Sequence, residues 1–271
     1  MSKVPTLQHP GPIATERISA VPCRATRRRV KLSSGSTLLQ AMIDAAEGAG
    51  AWFDLTDVPT EILTFVCPAP APDDSHVAWY SDEAVLRRAT IRQAGAHLGR
   101  RDGEAFAHVH GLWVEESGTR HAGHLLAEKT VLATDHMVDA WMLDGAILES
   151  APDEETGFTL FHPSCTHQVG TPNAVLGTIR PNELIDEGIA KCSEDAGLST
   201  STVKGLGSLV GARLKGQPAL NDIATEVLLV GTTAQNVIAV GFDRGPTSGE
   251  LVPLKNRVCV TFEVLLVSQS E

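Results

Sequence analysis

Aromatic side chains are scarce in this chain: four tryptophans, one tyrosine and seven phenylalanines among 271 residues. Few ring platforms are therefore on offer for stacking against bases or other flat ligands. Long apolar runs are missing too. The longest candidates, such as Val227 to Val230, are strand-sized, against the roughly 18 residues of a membrane helix, so no membrane association is expected. Met1 to Pro12 is polar and broken by proline, without a basic stretch leading into an apolar one, which predicts a protein that is not exported. Closely spaced cysteines are also absent. The five present (Cys23, Cys67, Cys165, Cys192, Cys259) are odd in number and scattered, with no C-x-x-C. That excludes a disulfide framework and a thiolate zinc site, and fits reduced thiols in a cytoplasm.

An excess of positive charge is lacking as well. Lys plus Arg is 22 and Asp plus Glu is 33, for a net charge of −11, and the deficit is shared by both halves of the chain. Neither half is a basic module, so a large phosphate-neutralising footprint, and with it a nucleic-acid partner, is not expected. The one basic cluster, Arg24, Arg27, Arg28, Arg29 and Lys31, reads as a solvated strand edge.

What the sequence does contain is one plan written twice. Leu38, Met42, Ala45 and Ala49 are spaced for an amphipathic helix, with Ser33-Ser34-Gly35-Ser36 before it and Gly50 after it. Ile185, Ile189, Cys192 and Ala196, closed by Gly197, repeat that spacing at a constant offset. Gly123-His124-Leu125-Leu126 and Gly249-Glu250-Leu251-Val252 each lead into a further apolar strand. Strands are expected at residues 61–67, 89–98, 106–114, 225–230 and 237–242. One helix against many strands predicts an α+β fold in two domains, residues 1–150 and 151–271, each a mostly antiparallel sheet packed on a helix. The acidic stretch from Glu149 to Gly157 reads as the loop between them.

All ten histidines lie at or before His167. The densest group is His108-Val109-His110 followed by His121-Ala122-Gly123-His124. Residues i and i+2 of a strand share a face, so His108 and His110 can converge. Glu115-Glu116-Ser117-Gly118 is a plausible turn that returns His124 beside them, whereas His121 has the wrong parity. Three imidazoles on one face suit zinc or another divalent ion, with a fourth position open. Arg100 and Arg101, next to the Asp102-Gly103 turn, are positioned to clamp a substrate carboxylate or phosphate. Glu128 is a candidate carboxylate for moving protons, and Trp113 and Tyr80 are candidate substrate contacts. No G-x-S-x-G elbow and no dinucleotide fingerprint is present.

The run from Gly99 through His108-Val-His110, then Gly123-His124-Leu-Leu, resembles the PPC domain (plants and prokaryotes conserved, also called DUF296 or PD1-like). Gly205-Leu-Gly-Ser-Leu-Val-Gly-Ala-Arg-Leu214 is similar to that family's glycine–serine turn between strands, so the second half resembles another copy. The resemblance covers most of residues 28–150 and 172–268 and implies a compact α+β domain, homo-oligomeric assembly and, in some bacterial members, a metal on the three histidines, here His108, His110 and His124. It also brings a DNA-binding label, although no R-G-R-P core occurs in this sequence. The second copy has Glu250 where His124 stands, which leaves open whether Glu250 reaches a site. The expectation is a metal-dependent hydrolase, lyase or isomerase, or a ligand-binding protein, that holds zinc and takes a small anionic metabolite. The alternative is a DNA-binding regulatory protein without catalysis.

Overall fold

The computed structural model describes residues 6–242 and 245–268. Among the described residues eighteen strands and two helices follow one another. The first strands and helix are β1 (Ile18–Leu32), α1 (Leu38–Ala46), β2 (Ala51–Val66), β3 (Pro68–Ala69), β4 (Trp79–Tyr80), β5 (Ala84–Arg87) and β6 (Thr90–Arg101). Then come β7 (Glu104–Val114), β8 (Arg120–Leu125), β9 (Val131–Leu132), β10 (His136–Asp144), β11 (Ala146–Pro152), β12 (Thr159–Cys165) and β13 (Ala174–Ile179). The chain finishes with α2 (Ile185–Asp195), β14 (Thr200–Leu209), β15 (Thr225–Leu229), β16 (Asn236–Val240), β17 (Thr247–Glu250) and β18 (Val258–Ser268). No helix among the described residues is long and apolar enough to cross a membrane.

Both helices stand where the apolar spacing puts them. In α1 the buried residues are Leu38, Ala41, Met42 and Ala46, and the Thr37 hydroxyl accepts the Gln40 N–H at 3.2 Å as its cap. In α2 they are Ile185, Gly188, Ile189 and Cys192; no side chain caps it, but Asp186 and Glu187 place negative charge at the positive end of its dipole.

The fold is nevertheless dominated by strands, and they do not fall into two separate sheets. Sixteen strands form one sheet, fourteen of them along the continuous path β12-β11-β6-β7-β8-β2-β10-β1-β13-β18-β14-β15-β16-β17, with β5 and β9 attached to β2. A β2–β6 pairing closes a ring through β6, β7, β8 and β2. The cause is the length of β1: Ile18 to Cys23 pair with β13, and Arg24 to Leu32 pair with β10. The basic cluster therefore lies on an interior strand rather than an edge. Its side chains point outward, where Arg27 meets Asp139 at 2.8 Å and Lys31 meets Asp135 at 3.2 Å. The acidic stretch is likewise not an open loop. It ends β11 and turns into β12, and its Asp153 and Glu155 are buried against Arg180 and Arg17.

Period-two alternation sorts most apolar side chains into three large cores, beside a small fourth cluster around Ala78, Ala224 and Cys259. Val109 and Trp113 of β7 pack with α1, and Phe262, Val264 and Leu266 of β18 pack with α2. The opposite faces of the same strands meet each other in the middle: Leu112 and Trp52 from the N-terminal strands join Leu228, Leu265 and Val267 from the C-terminal ones. Each fully buried leucine or valine in this layer contributes about 1.5–3 kcal/mol relative to exposure. Gly95 sets the approach of the two faces, because a Cβ there would overlap the Trp52 ring and Leu228. The middle layer matters for function, since the faces that meet there also carry the histidines.

Candidate metal centre

His108 and His110 occupy alternate positions of β7 on the face turned to the middle layer. The turn after β7 forms as its sequence suggests: Glu115 N–H donates to the Thr119 carbonyl at 3.0 Å and Gly118 N–H to the Glu115 carbonyl at 2.9 Å. This sets β8 in the register His110 opposite His124 and Trp113 opposite His121. One ligand atom from each of His108, His110 and His124 lies within 4.8 Å of the other two. His121 is turned away, with Nε2 at 2.6 Å from Glu115 Oε1.

The outer nitrogens determine which ring atoms are free. His110 Nδ1 lies 3.1 Å from the Val227 carbonyl of β15, an acceptor only, so Nδ1 carries the proton. His108 Nδ1 lies 2.9 Å from Glu263 Oε2 of β18 and likewise donates to the carboxylate. For neutral rings, both Nε2 atoms then present lone pairs, and they face each other at 3.0 Å. Two lone pairs at that distance repel unless a cation, a shared proton or a metal ion, lies between them. A tetrahedral ion with ligands at about 2.0–2.1 Å has nitrogen–nitrogen edges of about 3.3 Å, close to what is found. Burial, reinforced by the nearby His108, lowers the pKa of both His110 and His124 well below the usual imidazole value, so they stand as neutral ligands at pH 7. His124 Nδ1 is buried and makes no hydrogen bond among the described residues. The donor set thus fits a divalent metal, with outer partners of the kind that fix ligand tautomers.

Two further buried groups lie near the triad. Glu226 of β15 is buried with Oε1 at 3.8 Å from His110 Nε2 and Oε2 without a hydrogen bond, and burial pushes its carboxyl up to about 8. His97 of β6, the cross-strand neighbour of His108, packs edge-on against Trp52 and belongs outside the donor group. Burial, with His108 nearby, drives its pKa down to about 3.

A cavity of about 400 Å³ opens onto the triad. Arg101 and Tyr80 line it, and Glu128 is an exposed residue of its rim. The Arg101 guanidinium lies 3.7 Å from the Phe106 ring centre, and its Nε–H points to Ser150 Oγ at 3.4 Å. The other expected contacts fall elsewhere. Arg100 is exposed on the opposite face of β6 from Arg101, because neighbouring strand residues alternate. Trp113 is fully buried in the α1 core against Phe65, since its odd position on β7 faces away from His108 and His110. Glu250 pairs with Lys215 at the far edge of the sheet and is no part of the cavity. The C-terminal strands reach the site through Glu226, Glu263 and the Val227 carbonyl instead. Their only trace in the sequence is a lone acid inside an apolar strand, in Thr225-Glu-Val-Leu-Leu and in Val258-Cys-Val-Thr-Phe-Glu-Val-Leu-Leu.

No protein-family model and no curated protein matches the chain. Among solved structures, it is similar to a metal-containing protein from Archaeoglobus fulgidus, at 20% identity over 50% of this chain and 92% of that one, with a TM-score of 0.41. It is also similar to a plant- and prokaryote-conserved (PPC) protein from Pyrococcus horikoshii, at 16% identity over 58% and 99%, with a TM-score of 0.40. A candidate DNA-binding protein from Ralstonia eutropha matches at 15% identity over 51% and 94%, also at 0.40. What the site can do follows from its own atoms.

Proposed function

We propose that His108, His110 and His124 hold a divalent metal ion, zinc suiting an all-imidazole set best, at the floor of a cavity that receives a small anionic molecule. The supporting observation is the pair of Nε2 atoms 3.0 Å apart whose Nδ1 partners are both acceptors. When bound, such an ion acts as a Lewis acid or lowers the pKa of its water, which suits a hydrolase, lyase or isomerase. Glu263 and the Val227 carbonyl hold two of the imidazoles in the tautomer that leaves Nε2 free. Arg101, braced by Phe106 and Ser150, faces the same cavity with a charge that no acid among the described residues pairs, and there it binds the anion. In this reading residues 1–150 and 151–271 are two PPC-like units. Support comes from the matching spacing of α1 and α2 and from the separate core each helix builds.

Elemental analysis of untagged protein beside a His108→Ala/His110→Ala variant tests the reading. Near-stoichiometric metal in the parent and none in the folded variant is the expected result. No metal in either after incubation with zinc overturns it.

A second reading, a regulatory DNA-binding protein without catalysis, follows from the name of the Ralstonia protein and from the exposed arginines of β1. Two of the five basic residues there already have acidic partners, and the chain carries −11 overall. Duplex binding that weakens steeply with salt in a fluorescence anisotropy titration would favour it.

A further inference from the structure

The scarce aromatic residues are not spread evenly. Five rings line the cavity above the triad: Trp79, Tyr80, Phe106, Phe158 and Phe161, including the chain's single tyrosine. They form two rows that each start at a histidine of the triad. One runs from His124 to Tyr80 (5.4 Å between ring centres, edge-on), then to Trp79 (6.4 Å) and on to Phe158, stacked on Trp79 at 5.4 Å and 25°. The other runs from His108 to Phe161 (6.5 Å), then to Phe106 (5.5 Å), on whose face Arg101 rests. Trp79 and Tyr80 remain 40% and 39% exposed, although both project from the short β3–β4 pair into the cavity wall. Core packing does not account for half-exposed rings in a chain that has so few, whereas a ring-bearing occupant does.

We propose that the cavity takes a flat, ring-bearing carboxylate, its ring between the two aromatic rows and its carboxylate directed to Arg101 and the triad. This rests on the metal-site reading for the triad but not for the rows or Arg101. A volume of about 400 Å³ is at the small end of ligand cavities and accommodates a single ring with its substituents. The aromatic rows select the ring by stacking, and Arg101, unpaired by any acid among the described residues, selects the carboxylate by a charge-assisted hydrogen bond.

The test uses the full chain, with and without added zinc, and three probes: 2-hydroxybenzoate, lactate and phenol. Lactate has the same carboxylate and adjacent hydroxyl without the ring, and phenol has the ring without the carboxylate. Binding is read by calorimetry and by quenching of tryptophan fluorescence. The expected result is 2-hydroxybenzoate at least tenfold tighter than either other probe. Trp79→Ala is expected to remove about tenfold of that preference while leaving lactate unchanged. Arg101→Met is expected to bring 2-hydroxybenzoate down to the level of phenol. Lactate binding as tightly as 2-hydroxybenzoate, or an unchanged ratio in Trp79→Ala, overturns the proposal. Metal content is measured on the same samples. A parent that holds no zinc overturns the metal reading, and the probe ratios in that zinc-free protein still decide the ring preference.

Discussion

The N-terminal strands carry all three converging imidazoles and the C-terminal strands carry none, yet the C-terminal strands hold the imidazoles in place. On β7 the positions facing the middle layer are His108, His110 and Leu112; on β18 they are Glu263, Leu265 and Val267. One side supplies nitrogen donors, and the other supplies the acceptors that fix their tautomers, Glu263 and the Val227 carbonyl. A histidine-free region is therefore not a spacer. It does a different part of the same work, and the seam between the two regions is where that work is done.

Substitutions at four positions break or sharpen this contrast. Replacing the donors has the largest effect: His110→Ala should abolish metal retention through dialysis, with the circular dichroism spectrum unchanged. Next comes the ion cluster in which the buried acids that follow β11 meet Arg180 and, from before β1, Arg17. Arg180 lies 2.6 Å from Asp153, and both Asp153 and Glu155 are buried, so Arg180→Met leaves buried acids short of a counter-charge. A loss of roughly 3–5 kcal/mol in urea unfolding is expected. The same pair gives the pH dependence its sign. Burial raises the Asp153 carboxyl, but hydrogen bonds from Thr156 and Arg180 outweigh it and hold the pKa below the usual value. Its stabilisation is thus present above the ordinary aspartate pKa and lost as pH falls through the lowered one. Unfolding midpoints measured down the acid limb should show that loss in the parent and a smaller one in Arg180→Met.

A smaller effect is expected at the acceptor. Glu263→Leu removes the partner of His108 Nδ1 within an apolar layer, and zinc affinity should fall about 10–100-fold. Glu263→Gln, which keeps an acceptor oxygen, should lose less. The smallest effect belongs to Glu250, the residue matched by sequence to His124. Paired with Lys215 on an edge strand, Glu250→Ala should leave zinc affinity unchanged and stability within about 0.5 kcal/mol.

The sequence made the local parts of this structure legible. Apolar spacing located α1 and α2, and strand parity with the Glu115–Gly118 turn brought His108, His110 and His124 to one face. Parity also contained the answer for Trp113, which is odd-numbered on a strand whose even positions face the cavity. What sequence could not show is the pairing of distant strands. The split of β1 between β10 and β13 merges two expected sheets into one path, and it depends on partners more than a hundred residues away. Glu263 meets His108 across 155 residues and His110 meets Val227 across 117, so no local pattern announces either contact. A single acid within an apolar strand was the available signal, because burying an unpaired carboxylate is costly and such a residue needs a purpose.

Calorimetric titration of zinc into metal-stripped protein tests the central claim most directly. Binding of one ion per chain, lost in His108→Ala and weakened in Glu263→Leu, is the predicted result. Absence of binding by the parent, or equal affinity in the parent and His108→Ala, would contradict it.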